Sequence, residues 1–193
     1  MLTALDPLRQ LDLASLLFRL ALAMFFGGMI GLERERKRRP AGFRTYMLVC
    51  LGATLAGIVS QYNFIMLNTT FYETMKEVGR STDVSRIGAK VIGGIGFLGA
   101  GTVIVTGRQE VKGLTTAAGL WASACMGLAI GAGFYECVVL GFALIFLCIR
   151  LLPHLENLMV ERARNMNLYV EFSSLDDVGN IIGRIKAQGA QIY

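Results

Sequence analysis

Three glycines set the first chemical question. Gly94, Gly96 and Gly99 spell G-x-G-x-x-G, the spacing with which a strand-to-helix turn cradles a dinucleotide pyrophosphate. That chemistry needs a strand before the motif, a helix after it and an acidic residue about 20 positions on. Ala89–Ile92 passes for a short strand, but the residues after the motif, Gly101–Thr106, are β-branched and run into the charged turn Gly107–Lys112. The next acids, Glu110 and Glu136, stand at unsuitable distances, so the context rejects the nucleotide. Glu33 and Glu35 are a weak cation site, because arginines flank them and residues two apart on a helix do not face each other. Cys50, Cys125, Cys137 and Cys148 lack metal-type spacing and read as small hydrophobes. The single histidine, His154, has no nucleophile pattern around it. We expect neither an enzyme nor a bound cofactor.

The composition points to a different solvent. Of 193 residues, 54% are apolar and 17% charged, against about 25% charged in average soluble domains. The charges cluster between long apolar runs, so the net charge of +5 reads as a topology signal and not as a nucleic-acid surface. Ile87–Thr106 itself is about one bilayer length and holds six glycines. In a membrane these let backbones approach closely or let a helix break. The N-terminus does not read as a cleavable signal, since Asp6 and Asp12 accompany Arg9 and the basic cluster follows the apolar run.

Five spans are expected, forming an all-α membrane bundle over residues 1–153. Span 1, Leu13–Leu32, carries Arg19 and the small-residue pair Gly27 and Gly31. Arg19 is expected to snorkel to the headgroups, the alternative being a partner on another span or a polar cavity. The loop Glu33–Arg44 has six basic residues and two acids, which puts it in the cytoplasm. Span 2, Thr45–Ser60, shows a stripe of Gly52, Ala56 and Ser60, and a mixed-charge connection Gln61–Arg86 follows. Asp83, with Arg86 nearby, stands as the outer cap of the glycine-rich span 3, Ile87–Thr106. Span 4, Leu114–Ile130, displays Thr115, Gly119, Ser123, Gly127 and Gly131 at spacings of four, and span 5 is Cys137–Leu152.

This order leaves the N-terminus outside and the C-terminus in the cytoplasm. Gly94, Gly96, Gly99 and Gly101 join Gly27, Gly31, Gly119, Ser123, Gly127 and Gly131 as expected packing positions. At the cytoplasmic face, Glu33, Arg34, Glu35, Arg39, Arg44, Thr45, Thr115 and Thr116 are expected to form a polar network between spans 1, 2 and 4.

Residues 154–193 have another character. Leu155, Leu158, Met159 and Arg162 suggest a short amphipathic helix, and Leu168–Phe172 alternates like a strand. Ser173 or Ser174 then caps a helix with Leu175, Val178, Ile181, Ile182 and Ile185 on one face; Gly189 ends it and Ala190–Tyr193 opens a second strand. A β-α-β start this small cannot cover its own sheet, so the chain is expected to stop inside a domain, the alternative being a segment that packs on another subunit.

Four motifs in order give the chain a resemblance to the MgtC/SapB family of bacterial inner-membrane proteins. They are Gly28-Met29-Ile30-Gly31-Leu32-Glu33-Arg34-Glu35, Arg39-Pro40-Ala41-Gly42-Phe43-Arg44-Thr45, Gly94-Ile95-Gly96-Phe97-Leu98-Gly99-Ala100-Gly101, and Gly113-Leu114-Thr115-Thr116-Ala117-Ala118-Gly119-Leu120-Trp121. The chain departs from the family pattern at Tyr46 (commonly histidine), Val84 (usually proline) and Lys90 (often glutamine). The C-terminal segment is similar to the opening of an ACT-like, ferredoxin-type domain, partial here. The resemblance implies adaptation to low magnesium, survival inside host cells (virulence) and restraint of the ATP synthase through contact in the membrane. On the residues themselves, the small-residue stripes favour a regulator working by helix-helix contact in the lipid bilayer, with a second copy (a homodimer) or another membrane protein as partner; the resemblance makes that partner an ATP synthase subunit. The alternative is a magnesium or other cation transporter or channel that uses the glycine-rich span. Against it, the spans contain no carboxylate, the ligand hard cations prefer.

Overall fold

Apolar runs long enough to cross a bilayer, each closed by a turn or a charged segment, become helices because every backbone group in lipid must be bonded within its own segment. The computed structural model describes residues 3–78, 83–105, 111–162 and 176–187. A 3-10 turn over Thr3–Arg9 leads into α1 (Leu13–Arg36), whose first amides are capped by Asp12. Next come α2 (Phe43–Thr69), the short exposed α3 (Tyr72–Val78) and α4 (Ser85–Gly101). A two-stranded antiparallel ribbon, β1 (Ile104–Val105) and β2 (Val111–Lys112), pairs Ile104 with Lys112. Then follow α5 (Leu114–Gly131), α6 (Tyr135–Arg150), α7 (Leu152–Arg162) and α8 (Asp176–Ala187).

Among the described residues, four helices are long and apolar enough to cross a membrane: Leu13–Arg36, Phe43–Thr69, Leu114–Gly131 and Tyr135–Glu156. The expected count of five is not met, because the third span ends early. Helix α4 has 17 residues and is about 25 Å long, short of a hydrocarbon core of about 30 Å. The β-branched residues after Gly101 leave the helix and enter the ribbon instead. Helix α2 differs in the other direction. It runs nine residues past Ser60 to Thr69, so Gln61, expected in a connection, stands on a helix. Large apolar side chains cover the outside, among them Leu13, Leu17, Phe25, Leu48, Phe97, Leu140 and Leu144. Water would not tolerate so much exposed apolar surface. The chain is a multi-pass membrane protein.

The bundle is organised on α2, which packs on α1 and α5. Its inward face is Tyr46, Cys50, Ala53, Thr54, Gly57 and Ser60. Of the expected stripe, Ser60 lies on this face and Ala56 is half-buried, whereas Gly52 is exposed and a Cβ there would meet nothing within 4 Å. On the partner helices the contacts are glycine to backbone. A Cβ on Gly27 would stand 2.8 Å from the Cys50 Cβ, and one on Gly31 2.8 Å from the Phe43 Cα. On α5, Gly127 would meet the Cys50 carbonyl, Gly131 the Thr54 carbonyl and Gly119 the Tyr46 hydroxyl, while Ser123 is fully buried. Thr54 Oγ1 donates to the Gly127 carbonyl at 2.9 Å, a bond that closeness permits. Two glycines have the left-handed backbone that a side chain resists: Gly113 (φ 97), packed on the Thr102 carbonyl at the start of α5, and Gly133 (φ 77), which ends it.

Helix α4 lies on α5 by a narrow face, Ile95 and Gly99; a Cβ on Gly99 would meet Ala117 at 3.4 Å. Around Gly93, Gly94, Gly96 and Gly101 there is nothing within 4 Å. Among the described residues, the packing expected of Gly94, Gly96 and Gly101 is thus not made, because Ile95 and Gly99 take the face toward α5.

The chain divides into two compact units, Met1–His154 and Leu155–Tyr193. In the second, α8 carries Val178, Ile181 and Ile185 on its half-buried face and Ile182 exposed. The expected strands Leu168–Phe172 and Ala190–Tyr193, with Ser173, Ser174, Leu175 and Gly189, lie outside the described residues, so the ACT-like β-α-β segment is not confirmed.

The two kinds of glycine on α2 and α5 predict opposite behaviour. Gly127→Ala should cost about 2–3 kcal/mol through overpacking against backbone. Gly52→Ala should be neutral or stabilising by up to about 1 kcal/mol, since it restores helix propensity in open space. Thermal unfolding of both variants in one detergent checks the contrast.

Candidate functional site

Two arginines of α1 are buried, Arg19 fully and Arg34 with 4% exposed. Fifteen residues separate them, about 22 Å along the helix, so they sit near opposite ends of the bundle. Each is enclosed by α2 and α5, yet the two are handled differently.

Arg19 has a complete shell of neutral oxygens. Its Nη1 donates to Gln61 Oε1 at 2.8 Å and to the Gly131 carbonyl at 2.7 Å. Nη2 donates to the Arg9 carbonyl at 2.8 Å and the Leu8 carbonyl at 3.2 Å, and Nε to the Tyr135 hydroxyl at 3.2 Å. Gln61 in turn donates to the Ala132 carbonyl at 2.8 Å, and Arg9 Nε to the Gly133 carbonyl at 3.3 Å. The final carbonyl of α5, that of Gly131, and the Ala132 and Gly133 carbonyls just beyond it are thus covered by side chains, two of them cationic as the helix dipole favours, while backbone amides take Leu128, Ala129 and Ile130. The turn before α1 closes over the site. Ser15 Oγ and the Tyr135 hydroxyl both donate to the Leu8 carbonyl, and Arg9 is paired with Asp6 at 2.7 Å and Glu136 at 2.6 Å. The snorkelling expected of Arg19 is overturned: the side chain points into a carbonyl cage, because Gln61 and the 3-10 turn bring oxygen to it.

Arg34 has no such shell. Its Nη2 donates to Thr116 Oγ1 at 3.0 Å, while Nε is buried without a hydrogen-bond partner. The Thr116 carbonyl accepts from the Tyr46 hydroxyl at 3.2 Å, so α1, α5 and α2 meet on one threonine. Leaving a buried donor unbonded costs about 1–3 kcal/mol. A group kept at that cost marks this end as the candidate functional site.

Of the residues expected in the polar network, Arg34 and Thr116 are joined directly. Glu33 pairs with Lys37 at 3.1 Å, and Lys37 Nζ donates to the Ile149 carbonyl at 3.3 Å. Glu35 Oε2 accepts from the Phe43 amide at 2.9 Å, capping α2. Arg39, Arg44, Thr45 and Thr115 have exposed side chains and are not drawn in, because Thr116, one position on, takes the inward direction of α5. Tyr46, Lys37, Gln61 and Tyr135 were missed. Tyr46 was legible only as a departure from a family pattern, and nothing in the apolar periodicity marks a tyrosine as a bonded one. At the other end, Asp83 Oδ1 accepts from the Ser85 amide at 2.9 Å and the Ser85 hydroxyl at 2.6 Å. These bonds, with Arg86 nearby, hold its carboxyl below the usual range. Its contribution to the start of α4 is therefore present above the ordinary carboxylate pKa and lost as pH falls through the depressed value.

Two sets of variants separate the arginines. Arg19→Ala should cost about 3–5 kcal/mol by stranding the oxygens of its cage, and Arg19→Lys should recover less than half, since one ammonium cannot span the fork. At the other end, Thr116→Val should cost about 1–2 kcal/mol with Arg34 present and close to nothing in an Arg34→Met background. Unfolding midpoints of the four combinations measure the coupling, and an additive result would remove the pair from the site.

The family model described as MgtC family matches residues 20–158. The Escherichia coli (strain K12) protein named "Putative magnesium transporter YhiD" is 35% identical over 172 residues, 89% of this chain and 74% of that protein. Protein SapB of Bacillus subtilis (strain 168) is 35% identical over 72% of this chain and 56% of its own length. Protein MgtC of Brucella abortus (strain 2308) is 40% identical over 59% and 41%. No solved structure matches the chain. The matched stretch runs from the residue after Arg19 past the end of α6, taking in Arg34, Thr116 and the glycine contacts of α2 and α5, and the chain belongs to the MgtC family.

Proposed function

We propose that this chain is an MgtC-like regulatory protein of the bacterial inner membrane, used in adaptation to low magnesium and in survival inside host cells. It acts by helix-helix contact with a second copy or with a membrane protein such as a subunit of the ATP synthase. The observation that carries this reading is the open face of α4. The glycines of α1, α2 and α5 are consumed by packing inside the bundle, whereas Gly93, Gly94 and Gly96 face open space beside Phe97, 86% exposed. Each glycine in a helix costs about 0.5–1 kcal/mol relative to alanine, and among the described residues nothing offsets that cost on α4. A partner backbone lying on this face would.

In this reading α4, though short, is a fifth membrane-embedded element, with the bilayer thinned or the ribbon drawn to its end. The loop between α1 and α2 faces the cytoplasm by its excess of arginine, and the N-terminal turn over Arg19 faces outward. The residues around Arg34 then form the cytoplasmic end, where a soluble or membrane partner reads the state of the bundle.

Cation transport is the second reading, supported by the name of the YhiD relative and by the exposed backbone of a glycine-rich helix, which could line an ion path. Among the described residues, no three His, Cys, Asp or Glu side chains come together as a metal site. Purified protein in liposomes with a cation-flux readout separates the readings, because flux above empty liposomes belongs to a transporter alone.

Gly96→Leu tests the contact directly. The substitution meets open space and raises helix propensity, so the unfolding midpoint should stay at or above wild type. Growth complementation in low magnesium and cross-linking to any membrane partner should both fall at least tenfold. Wild-type growth and unchanged cross-links would refute the reading.

A further inference from the structure

The charges of the bundle are divided unevenly between its ends. Among the described residues, Arg34, Arg36, Lys37, Arg38, Arg39 and Arg44 stand at the Arg34 end, joined by Arg150, against the carboxylates Glu33 and Glu35. Both carboxylates are already occupied, Glu33 by Lys37 and Glu35 by the Phe43 amide. At the opposite end Arg9 is paired with Asp6 and Glu136, Arg19 is enclosed and Arg86 lies near Asp83, while the exposed cations Lys76 and Lys90 stand apart on α3 and α4.

The loop between α1 and α2 is also fixed in shape. The Arg38 amide donates to the Glu35 carbonyl at 2.9 Å and the Arg39 amide to the Arg34 carbonyl at 3.1 Å, the pair of bonds that closes a helix end. Arg38 supplies the left-handed residue of that motif at φ 50, a backbone that arginine resists and glycine would adopt freely. The loop thus keeps an arginine where its own geometry asks for glycine. Arg36, Arg38, Arg39 and Arg44 are all exposed, and below them Leu32, Phe43 and Leu48 present apolar surface.

We propose that this loop binds the phosphate headgroup of an anionic phospholipid, with Arg36, Arg38, Arg39 and Arg44 as its donors. A planar guanidinium takes two phosphate oxygens at once, and cations on a fixed backbone lose little freedom on binding. The acyl chains continue along the apolar surface of α1 and α2, which a free anion could not use. The site is independent of whether the protein regulates or transports.

The full chain is reconstituted in nanodiscs of mixed phosphatidylglycerol and phosphatidylcholine, and co-purified lipid is counted by native mass spectrometry. Wild type should retain phosphatidylglycerol over phosphatidylcholine by roughly tenfold, given about fivefold for each cation near an anionic surface before screening. The double variant Arg38→Gln with Arg39→Gln, which removes two of the four donors, should lower the ratio to roughly threefold at an unchanged unfolding midpoint. Arg36→Gln with Arg44→Gln, which leaves the turn untouched, should do the same. Lys76→Gln with Lys90→Gln, exposed cations elsewhere, should leave the ratio as in wild type. The proposal falls if wild type shows no preference, if the Lys76 and Lys90 pair lowers the ratio equally, or if millimolar inorganic phosphate or a soluble acidic peptide displaces the lipid.

Discussion

A guanidinium inside an apolar bundle has to be surrounded by oxygen, and meeting that demand for Arg19 shapes much of this protein. Five acceptors from the 3-10 turn, α2, α5 and the first turn of α6 converge on one side chain of α1. No carboxylate takes part in these bonds, so the cation is solvated by the protein as water would solvate it. Arg19, Gln61 and Arg9 also cover the Gly131, Ala132 and Gly133 carbonyls, which close α5 and would otherwise stand unbonded in an apolar surrounding. One interaction thereby fixes the order of four helices at that end.

Between the two arginines the bundle is drawn together by the absence of side chains. Gly27 and Gly31 bring α1 onto α2, and Gly127 and Gly131 bring α5 onto its other side, to distances at which one added methyl would strike backbone. Helix association in lipid has no hydrophobic drive of its own and depends on this close contact. Thr54 then reaches the Gly127 carbonyl across the interface, a bond that a larger residue at 127 would push out of range.

The Arg34 end is built with less redundancy. Thr116 serves two helices at once, and one buried nitrogen of Arg34 has no partner. An end assembled on a shared residue with an incompletely bonded charge is easier to rearrange than the Arg19 cage. This asymmetry fits a molecule with one locked end and one responsive end, and the responsive end is also the one that carries the unmatched arginines. Helix α4 adds a second asymmetry, lying on α5 by one narrow face with its remaining glycines uncovered.

By itself the amino-acid sequence determined the solvent, four of the five expected spans and the family. Length of apolar run and placement of charge decide the first two locally, and four ordered motifs carry the third. Asp83 as a cap and the glycines of α1 and α5 as contact positions were legible for the same reason, since spacing along one helix is a property of that helix. Tertiary structure alone decided which neighbour each face meets. On α2 Gly57 and not Gly52 lies inward, Thr116 and not Thr115 turns inward, and Gly94, Gly96 and Gly101 meet nothing among the described residues. Arg19 shows the limit most clearly. Hydropathy gives a buried arginine only its cost, and whether it escapes to the surface or stays depends on oxygens supplied by Leu8, Gln61 and Gly131, residues that only the fold brings to it.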